Sequence, residues 1–161
     1  MALDLGIPSI FPTSTDSDLG VQKKPRATFT KEFFIRSDGT DRQGNYITND
    51  LATGGGIGLI TFQVPADFTA FKKLFVVVIA TTGHNNWPMD VAFSITPVND
   101  DYTGGFDESF TPDLQTDKLE EVNIGTGNLS TAKAGDYIGL EIENNHADDK
   151  LDLIGLRVEY E

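Results

Sequence analysis

The chain contains no cysteine. That excludes a disulfide framework and a thiolate metal site, and it fits a reducing compartment. Histidine occurs only as His84 and His146, which argues against a multi-histidine transition-metal centre, so neither metal nor cofactor is expected. Positive charge is scarce as well: 12 Lys and Arg face 25 Asp and Glu, a formal net charge of −13. Nucleic acid and anionic membranes both demand a basic surface, so neither is an expected partner. The longest apolar run, residues 74–80, falls far short of the roughly 20 residues that a spanning helix needs. The opening Met-Ala-Leu-Asp-Leu-Gly-Ile-Pro has neither the basic nor the apolar part of a secretory signal. The expectation is a soluble product made in the cytoplasm.

Helical periodicity is missing too, and no unit of 20 to 50 residues repeats. What is present is alternation. In the last thirty residues, Ile138, Leu140 and Ile142 point one way, and Tyr137, Glu141 and Glu143 the other. Ile154, Leu156, Val158 and Tyr160 then repeat the pattern against Gly155, Arg157, Glu159 and Glu161. Successive side chains of a strand lie on opposite faces, so this reads as a hairpin with one apolar face closing a core.

Upstream, strands are expected over 28–36, 57–64, 73–81 and 89–96, with weaker ones over 105–111 and 118–124. The run Leu74 to Ala80 is apolar on both faces, as befits a strand in the middle of a sandwich. Leu119, Val122 and Ile124 are out of strict register, which suits a bulge. Residues 37–56, rich in Asp-Gly, Gln-Gly-Asn and Gly-Gly-Gly, read as one long loop. Ala66 to Phe71 reads as a single helical turn with Asp67 as its cap. The count is about eight short strands with frequent turns. The expected fold is an all-β antiparallel sandwich, most naturally a jelly roll over residues 28–161, with an immunoglobulin-type sandwich as the alternative.

Residues 1–27 have neither period. Ile7, Ile10 and Phe11 stand among prolines and polar residues, too few to fold on themselves, so the segment is read as an extended arm held by a neighbouring subunit. Lys23, Lys24 and Arg26 form a small basic island there, suited to an acidic neighbour.

Chemistry is thin. No Gly-x-Ser-x-Gly, phosphate loop, His-Glu-x-x-His or Gly-x-Gly-x-x-Gly occurs, so no enzyme is expected. His84, Asn85 and Trp87, in a turn-rich loop with the only tryptophan, are candidate glycan contacts, while the plainer reading has Trp87 plugging the end of the sandwich. His146 reads as a solvated loop residue. Two carboxylate clusters, Asn99-Asp100-Asp101 and Asp148, Asp149 and Asp152, invite calcium without matching a spaced calcium loop, and exposed turns are the simpler account.

From Trp87 onward the features follow an order. They are the strand ending in Phe93-Ser94-Ile95-Thr96, the acidic loop at Asn99, Ala134-Gly135-Asp136-Tyr137 opening a strand, Asp148-Asp149-Lys150-Leu151, and Leu153-Ile154-Gly155-Leu156-Arg157-Val158-Glu159-Tyr160. That order resembles small jelly-roll structural proteins of tailed bacteriophage virions, and Pro65-Ala66-Asp67-Phe68 extends it upstream. Where those proteins often carry an Arg-Asp pair, this chain has Asn144-Asn145. The resemblance implies a non-enzymatic virion protein, a capsid decoration or cement subunit binding the major capsid or other virion proteins, and a homo-oligomer such as a trimer. A tail or fibre component and a carbohydrate-binding module are the alternatives.

Overall fold

The computed structural model describes residues 30–97 and 106–161. The proposed arm, with Ile7, Ile10, Phe11, Lys23, Lys24 and Arg26, and the loop Asn99-Asp100-Asp101 lie outside the described residues. Among the described residues ten strands form: β1 (Lys31–Arg36), β2 (Asp41–Gln43), β3 (Tyr46–Leu51), β4 (Gly56–Gln63), β5 (Phe71–Ala80), β6 (Met89–Thr96), β7 (Phe106–Phe110), β8 (Leu119–Asn123), β9 (Tyr137–Asn144) and β10 (Leu151–Tyr160). Among the described residues the helical structure is one 3₁₀ turn, Gly127–Thr131.

Strands β3 to β10 make two antiparallel layers in the orders β3-β10-β5-β8 and β4-β9-β6-β7. That interleaving is the jelly roll. Strands β1 and β2 extend the first layer, β1 sharing with β3 the edge of β10 that β5 leaves free.

Alternation builds the core. In β4, Ile60 and Phe62 turn inward while Ile57, Leu59 and Thr61 turn out. Ile138, Leu140 and Ile142 of β9 do the same. They meet Leu74, Val76 and Val78 of β5 and Leu156 and Val158 of β10 across the gap. Each fully buried aliphatic or aromatic side chain contributes on the order of 1.5 to 3 kcal/mol. Strand β5 lies between β10 and β8, which is why both its faces are apolar: Val77 and Ile79, on its outer side, form a second small cluster with Ile154.

Several expectations are corrected. The closing segment is not a hairpin, because β9 pairs with β4 and β6 whereas β10 pairs with β1, β3 and β5. Its polar turn crosses between layers. Alternation reports which face is buried and is silent on the hydrogen-bonding partner. The expected bulge in residues 118–124 is also misplaced, since β8 pairs with β5 without a register shift. Apart from one near its end, between Glu159 and Tyr160, the shift occurs in β10 between Leu153 and Gly155. It turns Ile154 outward, so the core face of β10 is Leu151, Leu153, Leu156, Val158 and Tyr160.

Residues 37–56 are not one loop. Strands β2 and β3 pair there around Gly44, which adopts a φ of 60°, at the first position of a two-residue turn where glycine is favoured. Polar residues hid this strand: Thr48 is fully buried and donates its hydroxyl to Asp152 Oδ1 at 2.8 Å. Residues 66–67 form a plain turn, closed by Phe68 N–H on Pro65 O at 3.1 Å. Asp67 caps no helix; its carboxylate meets Lys31 and accepts from the Tyr160 hydroxyl at 3.3 Å.

Gly155 sits opposite Arg36, with β1 pressed against it. A Cβ there would lie 2.2 Å from Ile35 O and 2.6 Å from Phe34 Cζ. Gly155→Ala is therefore expected to lower stability by about 1 to 3 kcal/mol, read as a lower denaturant midpoint, with Gly139→Ala, whose nearest neighbour is 3.8 Å away, as the tolerated control.

Candidate functional site

One end of the sandwich gathers four connections: residues 81–88 between β5 and β6, 111–118 between β7 and β8, 145–150 between β9 and β10, and 52–55 between β3 and β4. Backbone bonds lock the first two together. His84 N–H donates to Leu114 O and Leu114 N–H to His84 O, both at 2.9 Å. Asn86, with φ of 57°, donates its N–H to Asp113 Oδ1 at 2.8 Å, and Trp87 N–H donates to Pro112 O.

That frame drives the Trp87 ring into the core, where it is fully buried. Its Nε1 donates to Asn144 Oδ1 at 2.9 Å. A buried ring has no face for a sugar, so Trp87 is corrected from candidate glycan contact to core plug. Asn85 is exposed on the same loop and His84 is partly exposed.

Asn144 is also fully buried. Its Nδ2 faces the carbonyls of Leu51 and Ala52 at 3.1 Å and of Asp149 at 3.0 Å. Its Oδ1 accepts from His146 N–H at 3.1 Å besides Trp87. One side chain thus joins the end of β3, the tryptophan loop and the β9–β10 crossing.

His146 is not the solvated residue expected. Its side chain is 15% exposed, stacked on Trp87 at 4.4 Å with an interplanar angle of 28° and beside His84 at 4.4 Å. His146 Nδ1 accepts from Asp149 N–H at 3.1 Å and, more loosely, from Asp148 N–H at 3.4 Å. His84 Nε2 lies 2.7 Å from Asp149 Oδ2, and His146 Nδ1 lies 3.6 Å from the same oxygen. The hydrogen bond from His84, seconded by Thr82, holds the Asp149 carboxyl below the usual carboxylate range. Sequence spacing gave no hint of this cluster, because His84 and Asp149 are 65 residues apart.

The three aspartates considered for calcium take separate partners. Asp148 is exposed, Asp149 faces the histidines, and Asp152 bonds Thr48 in the first layer. Burial pushes the Asp152 carboxyl up, opposed by the Thr48 bond and reinforced by the charges of Asp50 and Asp41.

A second feature lies on the outer face of the β3-β10-β5-β8 layer. Val77, Ile79 and Ile154 make an apolar floor, and Phe34, Tyr46 and Leu119 stand around it, 51%, 49% and 45% exposed. The groove between them measures about 450 Å³ and is fringed by Arg36, Asn45 and Glu121. Glu121 is gripped by the Arg157 guanidinium through two bonds of 2.8 and 2.7 Å, and that guanidinium stacks 4.1 Å from the Phe75 ring. The outer face of the other layer carries exposed Ile57 and Leu59.

No family model matches the chain, and no curated protein matches it. Among solved structures it is similar to dimeric latent PorU from Porphyromonas gingivalis, at 11% identity and a TM-score of 0.46 over 82% of this chain and 12% of that one. It is similar to a family two carbohydrate esterase from Cellvibrio japonicus, at 10% identity and a TM-score of 0.45 over 83% of this chain and 35% of that one. It is also similar to the CBM36-1 domain of a multidomain xylanase from the hindgut metagenome of Trinervitermes trinervoides, at 12% identity and a TM-score of 0.37 over 80% and 96%. The chain spans well under two thirds of the length of the first two. None of the three carries a site residue onto this chain.

Two outcomes are expected. Asn144→Leu removes the side-chain acceptor of the Trp87 and His146 N–H groups and a donor to three carbonyls, and a buried polar group left unpaired costs about 1 to 3 kcal/mol; calorimetry should show a large fall in melting temperature. Asp152, whose folded form holds its proton more tightly than the unfolded chain does, favours folding at low pH and loses that contribution as pH rises from the ordinary carboxylate value through its raised one. The stability gained by Asp152→Asn, read from urea midpoints, should therefore grow as pH rises through that window.

Proposed function

We propose that the chain is a non-enzymatic virion structural protein, a jelly-roll subunit of the capsid decoration or cement type that works by surface attachment. The observation that carries this reading is the outer groove, where Phe34, Tyr46 and Leu119 stand exposed over Val77 and Ile154. In a jelly roll both inner faces are consumed by the core, so outer faces and edges are what remain for partners. Apolar side chains grouped on such a face are characteristic of interaction sites. The bulge in β10 supplies Ile154 to this floor at the expense of a regular ladder, and bulges tend to re-aim a side chain where function needs it.

The reading also draws on the resemblance of residues 87–161 to phage virion proteins and on the absence of catalytic motifs. The partner is another copy of the chain, in a symmetric oligomer such as a trimer, together with the major capsid protein or another virion subunit. Repetition over an oligomer turns modest contacts into firm attachment. The net charge of −13 keeps free subunits apart until an apolar or basic partner face is met. The product is placed in the virion after synthesis in the host cytoplasm.

A second reading, a carbohydrate-binding module, is favoured by one observation. The same groove sets the exposed rings of Phe34 and Tyr46 beside Arg36, Asn45 and Glu121, an aromatic platform with a polar fringe. It would bind glycan there, away from Trp87.

The double variant Phe34→Asp, Leu119→Lys discriminates the two. On the structural reading it keeps its melting temperature, sediments as a monomer where the parent forms an oligomer, and no longer pellets with virions. Unchanged assembly and unchanged particle binding would overturn that reading. Saturable glycan binding by the parent, lost in Tyr46→Ala with assembly intact, would establish the module instead.

A further inference from the structure

The loop end carries a donor set that the assembly reading does not use. His84, His146 and Asp149 come from two separate connections and present ligand atoms within 4.8 Å of one another. We propose that this end of the sandwich binds one divalent transition-metal ion, of the class represented by Zn²⁺, through His84 Nε2, His146 Nδ1 and Asp149 Oδ2.

The geometry suits such an ion. Zinc sits about 2.0 to 2.2 Å from imidazole nitrogen and carboxylate oxygen in a tetrahedron, so its ligand atoms lie roughly 3 to 3.5 Å apart. The separations here, 2.7 Å from His84 Nε2 and 3.6 Å from His146 Nδ1 to the shared Asp149 oxygen, bracket that range. Small side-chain adjustments reach it. Two neutral imidazoles and one carboxylate are ligands that zinc, nickel and copper favour, and three protein ligands leave one position for water. In a chain of net charge −13 the remaining positive charge is welcome.

The ligands are also positioned. His84 is pinned by its paired backbone bonds to Leu114. Thr82 hydrogen-bonds the Asp149 carboxylate. Asn144 fixes the other connection by accepting from His146 N–H and donating to Asp149 O. Supports of this kind orient a metal's ligands before it arrives. The side chains of His84, Asp149 and His146 are 38%, 23% and 15% exposed, so the pocket is reachable from solvent without being fully bathed in it. The ion displaces the His84–Asp149 hydrogen bond and the two backbone bonds on His146 Nδ1, of which the one from Asp148 is long at 3.4 Å.

Trp87 makes the test direct. It is the only tryptophan of the chain and stacks on a proposed ligand, so a paramagnetic ion bound there quenches the protein's indole fluorescence. Metal-stripped full-length protein is titrated with Ni²⁺ by fluorescence and with Zn²⁺ by calorimetry. The expected result is saturable binding of one ion, quenching by Ni²⁺ that Zn²⁺ reverses, and a melting temperature that rises with Zn²⁺. His84→Ala and Asp149→Ala should each weaken binding by more than the roughly 10- to 100-fold that outer partners carry. Asp148→Ala, on the neighbouring exposed carboxylate, should leave it unchanged. The result that overturns the proposal is binding that fails to saturate, or binding that survives both His84→Ala and Asp149→Ala while each variant keeps the fold of the parent.

Discussion

The buried amide of Asn144 is the constraint on which the rest of the structure depends. It ends β9 in one layer, reaches the carbonyls that close β3 in the other, accepts from Trp87 and holds the turn that carries His146 and Asp149. A buried amide without partners costs more than its hydrogen bonds return, so the site admits only an arrangement in which all of these strands and loops arrive together. This is how one polar group specifies the closure of an otherwise apolar sandwich.

From that closure the surfaces follow. With the inner faces committed, the molecule has two kinds of surface left: sheet exteriors and loop ends. The exterior of the layer holding β10 is apolar because β5 is central and because a register shift turns Ile154 outward. The loop end is polar and aromatic because Trp87 must find a partner for its N–H, and the partner it finds brings His146 and Asp149 up to the His84 of the tryptophan loop. The proposed attachment and the proposed ion binding thus fall in different regions of the molecule.

Much of the fold was legible from alternation. Residues 57–64 and 89–96 emerge as β4 and β6 with their ends within a residue of expectation, and the apolar run from Leu74 to Ala80 as the buried β5. Strand β3 was not legible, since its buried Thr48 is paired with a buried aspartate of β10 and polar pattern reads as loop. The plug role of Trp87 is the plainer reading of a lone tryptophan in a turn-rich loop, and its burial bears that reading out over glycan contact. The clustering of His146 with His84 was missed altogether.

Taken alone, the sequence determined that the elements are strands, the side of most of them that faces the core, and the net negative charge. Those are properties of neighbours in the chain: a period of two and a sum of charges. Only tertiary structure decided that β9 and β10 belong to different layers, that Ile154 faces out, and that Trp87 and Asn144, 57 residues apart, share a hydrogen bond. Partner choice depends on the joint satisfaction of backbone and buried polar groups from distant segments, and no local pattern encodes a condition that is met only when all of those segments are in place.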